Sequence, residues 1–385
     1  MNKKYCIFLT VLFSLFIGGI LVGSLLAPDK EFSELENRYL QTPPKLSLEN
    51  LQSGKFMEDA EDYVNDHVIG RDLWVALKAW SERLSGKQEN NGVYFGKNDT
   101  LINRLDEPSW EDIPAQGGTS AKPGLETSAG YVNALVNNVD VPVYFGIIPS
   151  AAEIWSDRLP EGAPTADEKA IIDRLYDTVQ TYTIDVYSAL EEHKDEDIYY
   201  RTDHHWTSLG AYYGYTALME AMGMEAEPLN EDAKVTVTDS FYGTIFSNSG
   251  VRWVAPDHID RYISGDGLKV TAYFDGTPTD STLYVDSYLD KKDKYSSFLG
   301  GNQPLCIIET EHTDAPKVLV IRDSYSDSLA PFLTQNFSEI HLFDPRMNLN
   351  SVKDYVETNE IDQVVVLYSI SNFISSSKDL FVLSR

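Results

Sequence analysis

The chain has 385 residues, 42% of them hydrophobic and 12% aromatic, with 23 Tyr and 6 Trp. That is enough apolar surface for a real core, and it excludes wholesale disorder. A formal net charge of −29 with no basic stripe excludes nucleic acid as a partner and repels anionic lipid. The two cysteines, Cys6 and Cys306, supply no disulfide framework because Cys6 falls in an apolar N-terminal run, and no CxxC or Cys/His cluster marks a structural zinc.

From Tyr5 to Ala27 there is no charge; Lys3 and Lys4 stand before this run, and Asp29, Lys30 and Glu31 follow it. At ~1.5 Å per residue such a helix spans a ~30 Å hydrocarbon core. The leading lysines favour an N-in orientation with the rest of the chain outside the cell. A cleaved signal peptide is the competing reading. The run is long for one, and Leu25-Leu26-Ala27 is a poor cleavage site, which favours an uncleaved anchor.

Residues 28–52 are polar, contain Thr42-Pro43-Pro44, and read as a juxtamembrane linker. Ser53 to Ser85 reads helical from the spacing of Phe56, Ala60, Tyr63 and Val64, then Leu73, Trp74, Leu77, Trp80 and Leu84. Two short apolar runs around Gly96-Lys97-Asn98-Asp99 predict a hairpin, and Glu107 to Gly124 reads as a loop. A helix over 126–138 precedes the apolar run 141–148, which has the character of a strand buried on both faces. Helices are expected at 166–182, 188–194 and 208–222, with extended pieces at 184–187 and 198–200.

Residues 231 to about 314 lose helical periodicity and read as a β-rich insertion. The rhythm then returns: a buried strand at 317–321 (KVLVI), a helix after Ser324, a strand at 340–343, a helix at 352–359 and a final buried strand at 363–368. The pattern predicts an α/β fold with a mostly parallel sheet flanked by helices. The expected organisation is an anchor at 1–27, linker and helical segment at 28–85, and a catalytic domain at 86–385.

Two stretches carry chemistry. Arg201-Thr202-Asp203-His204-His205-Trp206-Thr207 lies in a loop before a helix, where a carboxylate beside an imidazole can orient a general base. The alternatives are a structural histidine that caps the helix, or a metal pair, although no HExxH-like spacing supports the latter. Ile321-Arg322-Asp323-Ser324-Tyr325-Ser326 follows the buried strand KVLVI, where open α/β sheets bind ligands. Ser324 there can be a nucleophile, with N–H groups of the following helix assisting an oxyanion; or Asp323 or Ser324 can merely cap the helix. Each stretch strengthens the other, since a serine nucleophile needs a base and the base an orienting acid.

Asp203-His204-His205-Trp206 spells the signature of the DHHW family, and the chain resembles that family also at Glu36-Asn37-Arg38, at Phe95-Gly96-Lys97-Asn98-Asp99 and at Phe241-Tyr242-Gly243-Thr244. DHHW proteins are similar to the extracytoplasmic alginate O-acetyltransferases, whose catalytic domain is SGNH-hydrolase-like and carries an Asp-x-His motif and a later serine. The resemblance implies that Asp203, His205 and Ser324 form the catalytic set, with Arg322 standing where the SGNH block has glycine. It implies transfer of an acyl group, expected to be acetyl, through an acyl-serine onto an exported polysaccharide, with a membrane-bound O-acyltransferase as donor partner. A serine nucleophile and the lack of a metal-ligand cluster predict no metal or cofactor. Trp206, Arg322, Tyr325, Arg346 and Asn372 are the candidate substrate-binding residues. An acetylesterase and a non-catalytic scaffold of an export complex are the alternatives.

Overall fold

The computed structural model describes residues 3–36, 38–115 and 121–385; Asn37 of the Glu36-Asn37-Arg38 stretch and part of the 107–124 loop lie outside them. The chain forms two compact units, one of residues 1–91 with 247–253, the other of residues 92–246 with 254–385.

In the first unit, the helix Lys3–Leu26 is long and apolar enough to cross a membrane by length and composition, and none of its residues is buried. The helical stretch expected over 53–85 is broken: Lys55–His67 and Arg71–Leu84 are separate helices. Gly70 between them has φ of +70°, a left-handed conformation that glycine adopts without the steric penalty of a side chain. Glu36 and Arg38 are pinned by charge. Arg38 donates from Nε to Glu36 (2.8 Å) and from Nη1 to Asp66 (2.9 Å), and Arg71 pairs with Glu36.

The second unit is built on an eight-stranded sheet. Its strands, in chain order, are β1 (Val143–Ile148), β2 (Tyr182–Ile184), β3 (Lys269–Ala272), β4 (Thr279–Ser281), β5 (Leu305–Glu309), β6 (Lys317–Arg322), β7 (Glu339–Phe343) and β8 (Gln363–Ser369). The spatial order is β4-β3-β5-β7-β6-β8-β1-β2. The five strands from β7 to β2 run parallel, while β5, β3 and β4 extend the sheet in antiparallel pairing. The α/β architecture read from the sequence is therefore present, and three strands of the 231–314 stretch belong to the main sheet. That stretch also contains a helix, Thr244–Ser249.

Strand alternation splits the core into two layers. Val318 and Val320 of β6 with Val365 and Leu367 of β8 face one layer, closed by the helices Ser208–Met222 and Ser326–Leu333. Leu319 and Ile321 with Val364 and Val366 face the other, closed by Leu125–Asn138, Glu168–Thr178 and Val352–Asn359. Because helices cover both faces, β6 and β8 are apolar at nearly every position, and β6 delivers its carboxyl end to the middle of the sheet edge.

Candidate active site

The loop after residue 200 is a tight excursion closed at its base. Tyr199 and Trp206 form a bridge, the Tyr200 N–H donates to the His205 carbonyl (3.2 Å), and the Thr207 N–H donates to the Ile198 carbonyl (2.9 Å). Asp257 holds the loop from outside, accepting the backbone N–H groups of Arg201 (3.1 Å) and Thr202 (2.9 Å). The helix Ser208–Met222 is capped by Thr207, whose Oγ1 accepts the Gly210 N–H, so neither histidine serves as its cap.

Both loop residues Asp203 and His205 are buried. His205 Nδ1 lies 2.6 Å from Asp203 Oδ1, and the same oxygen accepts the His205 backbone N–H at 3.0 Å. Asp203 Oδ2 accepts the Thr244 N–H (2.7 Å) and hydroxyl (3.0 Å). Burial by itself disfavours the charged carboxylate. The adjacent His204 and His205, with the hydrogen bonds from His205 and Thr244, outweigh it and hold Asp203 well below the ordinary carboxylate range. An ionised Asp203 fixes the tautomer of His205: Nδ1 carries the proton, and Nε2 is free to accept.

That Nε2 lies 2.8 Å from Ser324 Oγ. Ser324 sits in the turn between β6 and the helix Ser326–Leu333, and that helix has no side-chain cap. Asp323 shapes the turn. Its Oδ1 accepts the Tyr325 N–H (3.0 Å), and its Oδ2 accepts the N–H (2.9 Å) and hydroxyl (2.6 Å) of Ser369 at the end of β8 and the Asn372 amide (2.9 Å). The N–H groups of Tyr325, Ser326 and Asp327 are all engaged within the turn, which removes them from the oxyanion role considered for the helix start.

Gly243 passes so close to Asp203 that a Cβ there would lie 2.2 Å from the Asp203 Cβ and Oδ2. The Phe241-Tyr242-Gly243-Thr244 stretch thus delivers two donors to the acid through a contact only glycine allows. Thr244 gives its hydroxyl proton to Asp203, so the 2.6 Å contact of its Oγ1 with His204 is donated by His204 Nδ1–H. Burial, then repulsion from His205, push the His204 imidazole down to about 4, and the third of its side chain that still meets solvent softens this shift. Tyr295 lies flat against His205, centroids 3.7 Å apart and planes 9° apart. Sequence reasoning assigned no role to Tyr295, took Asp323 only as a possible helix cap, and noted Gly243 and Thr244 only within a stretch that resembles the family.

The expected substrate-binding residues divide. Tyr325 and Asn372 line a cavity of about 100 Å³ beside His204, shared with Ser150, Ala152 and Ile245. Trp206 is fully buried, its indole N–H shared between the Tyr325 carbonyl (2.9 Å) and Ser328 Oγ (3.0 Å), so it supports the site from beneath and offers no face to a sugar. Arg322 is also fully buried and pairs with Asp327 at 2.7 Å, which takes it away from any ligand. Arg346 grips the buried Asp344 through both Nε (2.9 Å) and Nη2 (2.6 Å).

Among the described residues, ligand atoms of Asp203, His204 and His205 fall within 4.8 Å of one another, a spacing that can hold a metal ion. Those atoms already have partners: His205 bonds Asp203 and Ser324, and His204 bonds Thr244 through Nδ1. The geometry is that of an acid, an imidazole and a hydroxyl in line, and such an array can move a serine proton and hold it during acyl transfer.

The model of the DHHW protein family matches residues 127–343. The structure resembles a DHHW family protein from Eubacterium siraeum DSM 15702, with TM-score 0.64 and 25% identity over 76% of this chain and 95% of that one. It also resembles Bacillus cereus PatB1 carrying a sulfonyl adduct (TM-score 0.59, 21% identity, 76% of this chain and 98% of that one). A second PatB1 structure gives a TM-score of 0.56 and 20% identity, covering 72% and 95%. A comparison with curated proteins finds no match.

Proposed function

Because the chain belongs to the DHHW protein family, we propose that it transfers an acyl group, acetyl in the first instance, to a hydroxyl of an exported polysaccharide through an acyl-Ser324 intermediate. The observation that carries this reading is the continuous chain from Asp203 through His205 to Ser324, with contacts of 2.6 and 2.8 Å.

In this mechanism Ser324 Oγ attacks the acyl carbonyl of the donor while His205 Nε2 takes the hydroxyl proton. Collapse of the tetrahedral intermediate breaks the bond to the leaving oxygen, which receives that proton from His205. A sugar hydroxyl then attacks the acyl-serine. His205 accepts its proton and returns it to Ser324 as the ester bond to serine breaks. Asp203 stays ionised throughout and stabilises the transient imidazolium. Tyr325 and Asn372, at the cavity wall, are the residues assigned to substrate contact.

The N-terminal helix acts in this reading as a single-pass anchor that keeps the second unit at the outer membrane face. There a membrane-bound O-acyltransferase supplies acyl groups.

The test is a competition for the acyl group. With a chromogenic phenyl acetate as donor and a glycan as acceptor, acetyl esters should accumulate on the glycan at the expense of free acetate. Acetate alone at every glycan concentration would make water the acceptor and the protein an acetylesterase. A sulfonyl fluoride, chosen because PatB1 was determined with a sulfonyl adduct, should modify Ser324. A folded chain that neither turns over nor labels would leave the scaffold reading standing.

A further inference from the structure

We infer that Tyr295 is a positioning residue that sets base and nucleophile in register with each other; the inference rests on Ser324 and His205 being the reacting pair. Tyr295 opens the short 3-10 turn Tyr295–Ser297 in the 231–314 stretch, outside both motifs that mark the site. Its ring is stacked on His205, and its hydroxyl donates to the Ser324 carbonyl at 2.9 Å, with Ser328 Oγ 3.1 Å away. A single buried side chain therefore touches the imidazole through its face and the nucleophile's backbone through its tip.

The in-plane contacts of His205 explain why this is needed. Asp203 and Ser324 hold opposite ends of the ring, which leaves the imidazole free to tilt about the line joining those two partners. A flat ring packed on its face blocks that tilt. The other neighbours do not: Tyr325 lies 5.0 Å away at 53° and His204 3.9 Å away at 36°, neither parallel to the ring. The stack also places the electron-rich face of a phenol against the ring that becomes cationic when Ser324 gives up its proton, an interaction stronger in the transition state than before it. Burial pushes the phenol well above its ordinary range, with Asp327 adding to the effect, so the hydroxyl remains a neutral donor to the Ser324 carbonyl.

The experiment compares the full chain with Tyr295→Phe and Tyr295→Leu, each checked for folding by circular dichroism and melting. Tyr295→Phe keeps the stack and loses the hydroxyl's bonds to the Ser324 carbonyl and to Ser328, so kcat on a chromogenic acetyl ester should fall about fivefold. Tyr295→Leu frees the imidazole and should lower kcat about 100-fold with KM within about twofold, the loss typical of a slightly misplaced catalytic group. Sulfonyl labelling of Ser324 should slow in parallel. The His205 ring C–H resonances should lie upfield in the wild type and in Tyr295→Phe, and return downfield in Tyr295→Leu.

Wild-type kcat in a folded Tyr295→Leu, or a change confined to KM, would overturn the inference. Should Tyr295→Leu fail to fold, wild-type kcat in Tyr295→Phe together with a downfield His205 in the wild type would overturn it. An inactive, unlabelled wild type would instead sink the acyl-transfer reading, while the His205 resonances would still report whether the stack exists.

Discussion

His205 Nε2 meets Ser324 Oγ at 2.8 Å although the two residues are 119 positions apart in sequence. One arrives in a loop tied down by Asp257, the other in the turn that ends β6. Removing the hydroxyl in Ser324→Ala should lower turnover of a chromogenic acetyl ester by ~10³-fold or more. His205→Ala should cost about as much, and the double variant little beyond either single one, because the pair acts as a unit. Wild-type turnover by a folded Ser324→Ala protein would end the serine mechanism.

His204 gives a contrasting expectation. It bonds Thr244 and no atom of Ser324, and it is largely neutral above about 4 because burial and His205 depress its pKa. His204→Ala should therefore lower kcat less than about tenfold, the scale of one or two neutral hydrogen bonds, and leave the pH profile above 6 unchanged. A loss equal to that of His205→Ala would move the base to His204.

Gly243→Ala tests the support of the acid. The added methyl would fall 2.2 Å from Asp203, so the 241–244 segment or the carboxylate must shift. Overpacking of this kind costs about 1–3 kcal/mol, so melting should drop by several degrees. Turnover should fall with it as the Thr244 donors move off Asp203 Oδ2. An unchanged melting temperature and turnover would show that the close approach is not maintained in solution.

Glu168 gives a pH signature of stability. It is buried, and desolvation lifts its pKa from 4.5 to about 7 even though the Ser150 hydroxyl (2.6 Å) and N–H (2.7 Å) donate to it. The fold thus favours the protonated acid. Its stabilising contribution is complete below about 4.5 and is lost as pH rises through about 7. Glu168→Gln can accept the Ser150 N–H and donate its amide to the Ser150 hydroxyl, as the protonated acid does, without titrating. The melting temperature of the wild type relative to this variant should decline between those limits, and parallel profiles across the window would contradict the assignment.

Much of the framework was legible because burial on both faces leaves a plain mark: KVLVI and QVVVLY are continuous apolar runs, and both are central parallel strands. Asp203, His205 and Ser324 stood out because their chemistry is local to short motifs. What the sequence concealed is what long-range packing decides. Tyr295 is one of 23 tyrosines, and nothing near it in the chain says that it will lie on an imidazole. Trp206 and Arg322 lie in the two motifs yet are held in the interior, Trp206 by the Tyr325 carbonyl and Ser328 and Arg322 by Asp327, partners that no local pattern announces. The break at Gly70 was masked by apolar spacing that continues across it, and the helix Thr244–Ser249 by the β-like composition around it.

The order of strands has a consequence for biogenesis. β8 lies between β1 and β6, so the strand that leads into the Ser324 turn cannot be joined to β1 and β2 until Gln363–Ser369 has been synthesised. Ser369 also supplies two of the donors that hold Asp323 in its turn. A chain that has not yet added this strand carries Asp203, His205 and Ser324 while still lacking the closure that aligns them. On the proposed serine mechanism, a chain cut before Gln363 should therefore be inert on a chromogenic acetyl ester.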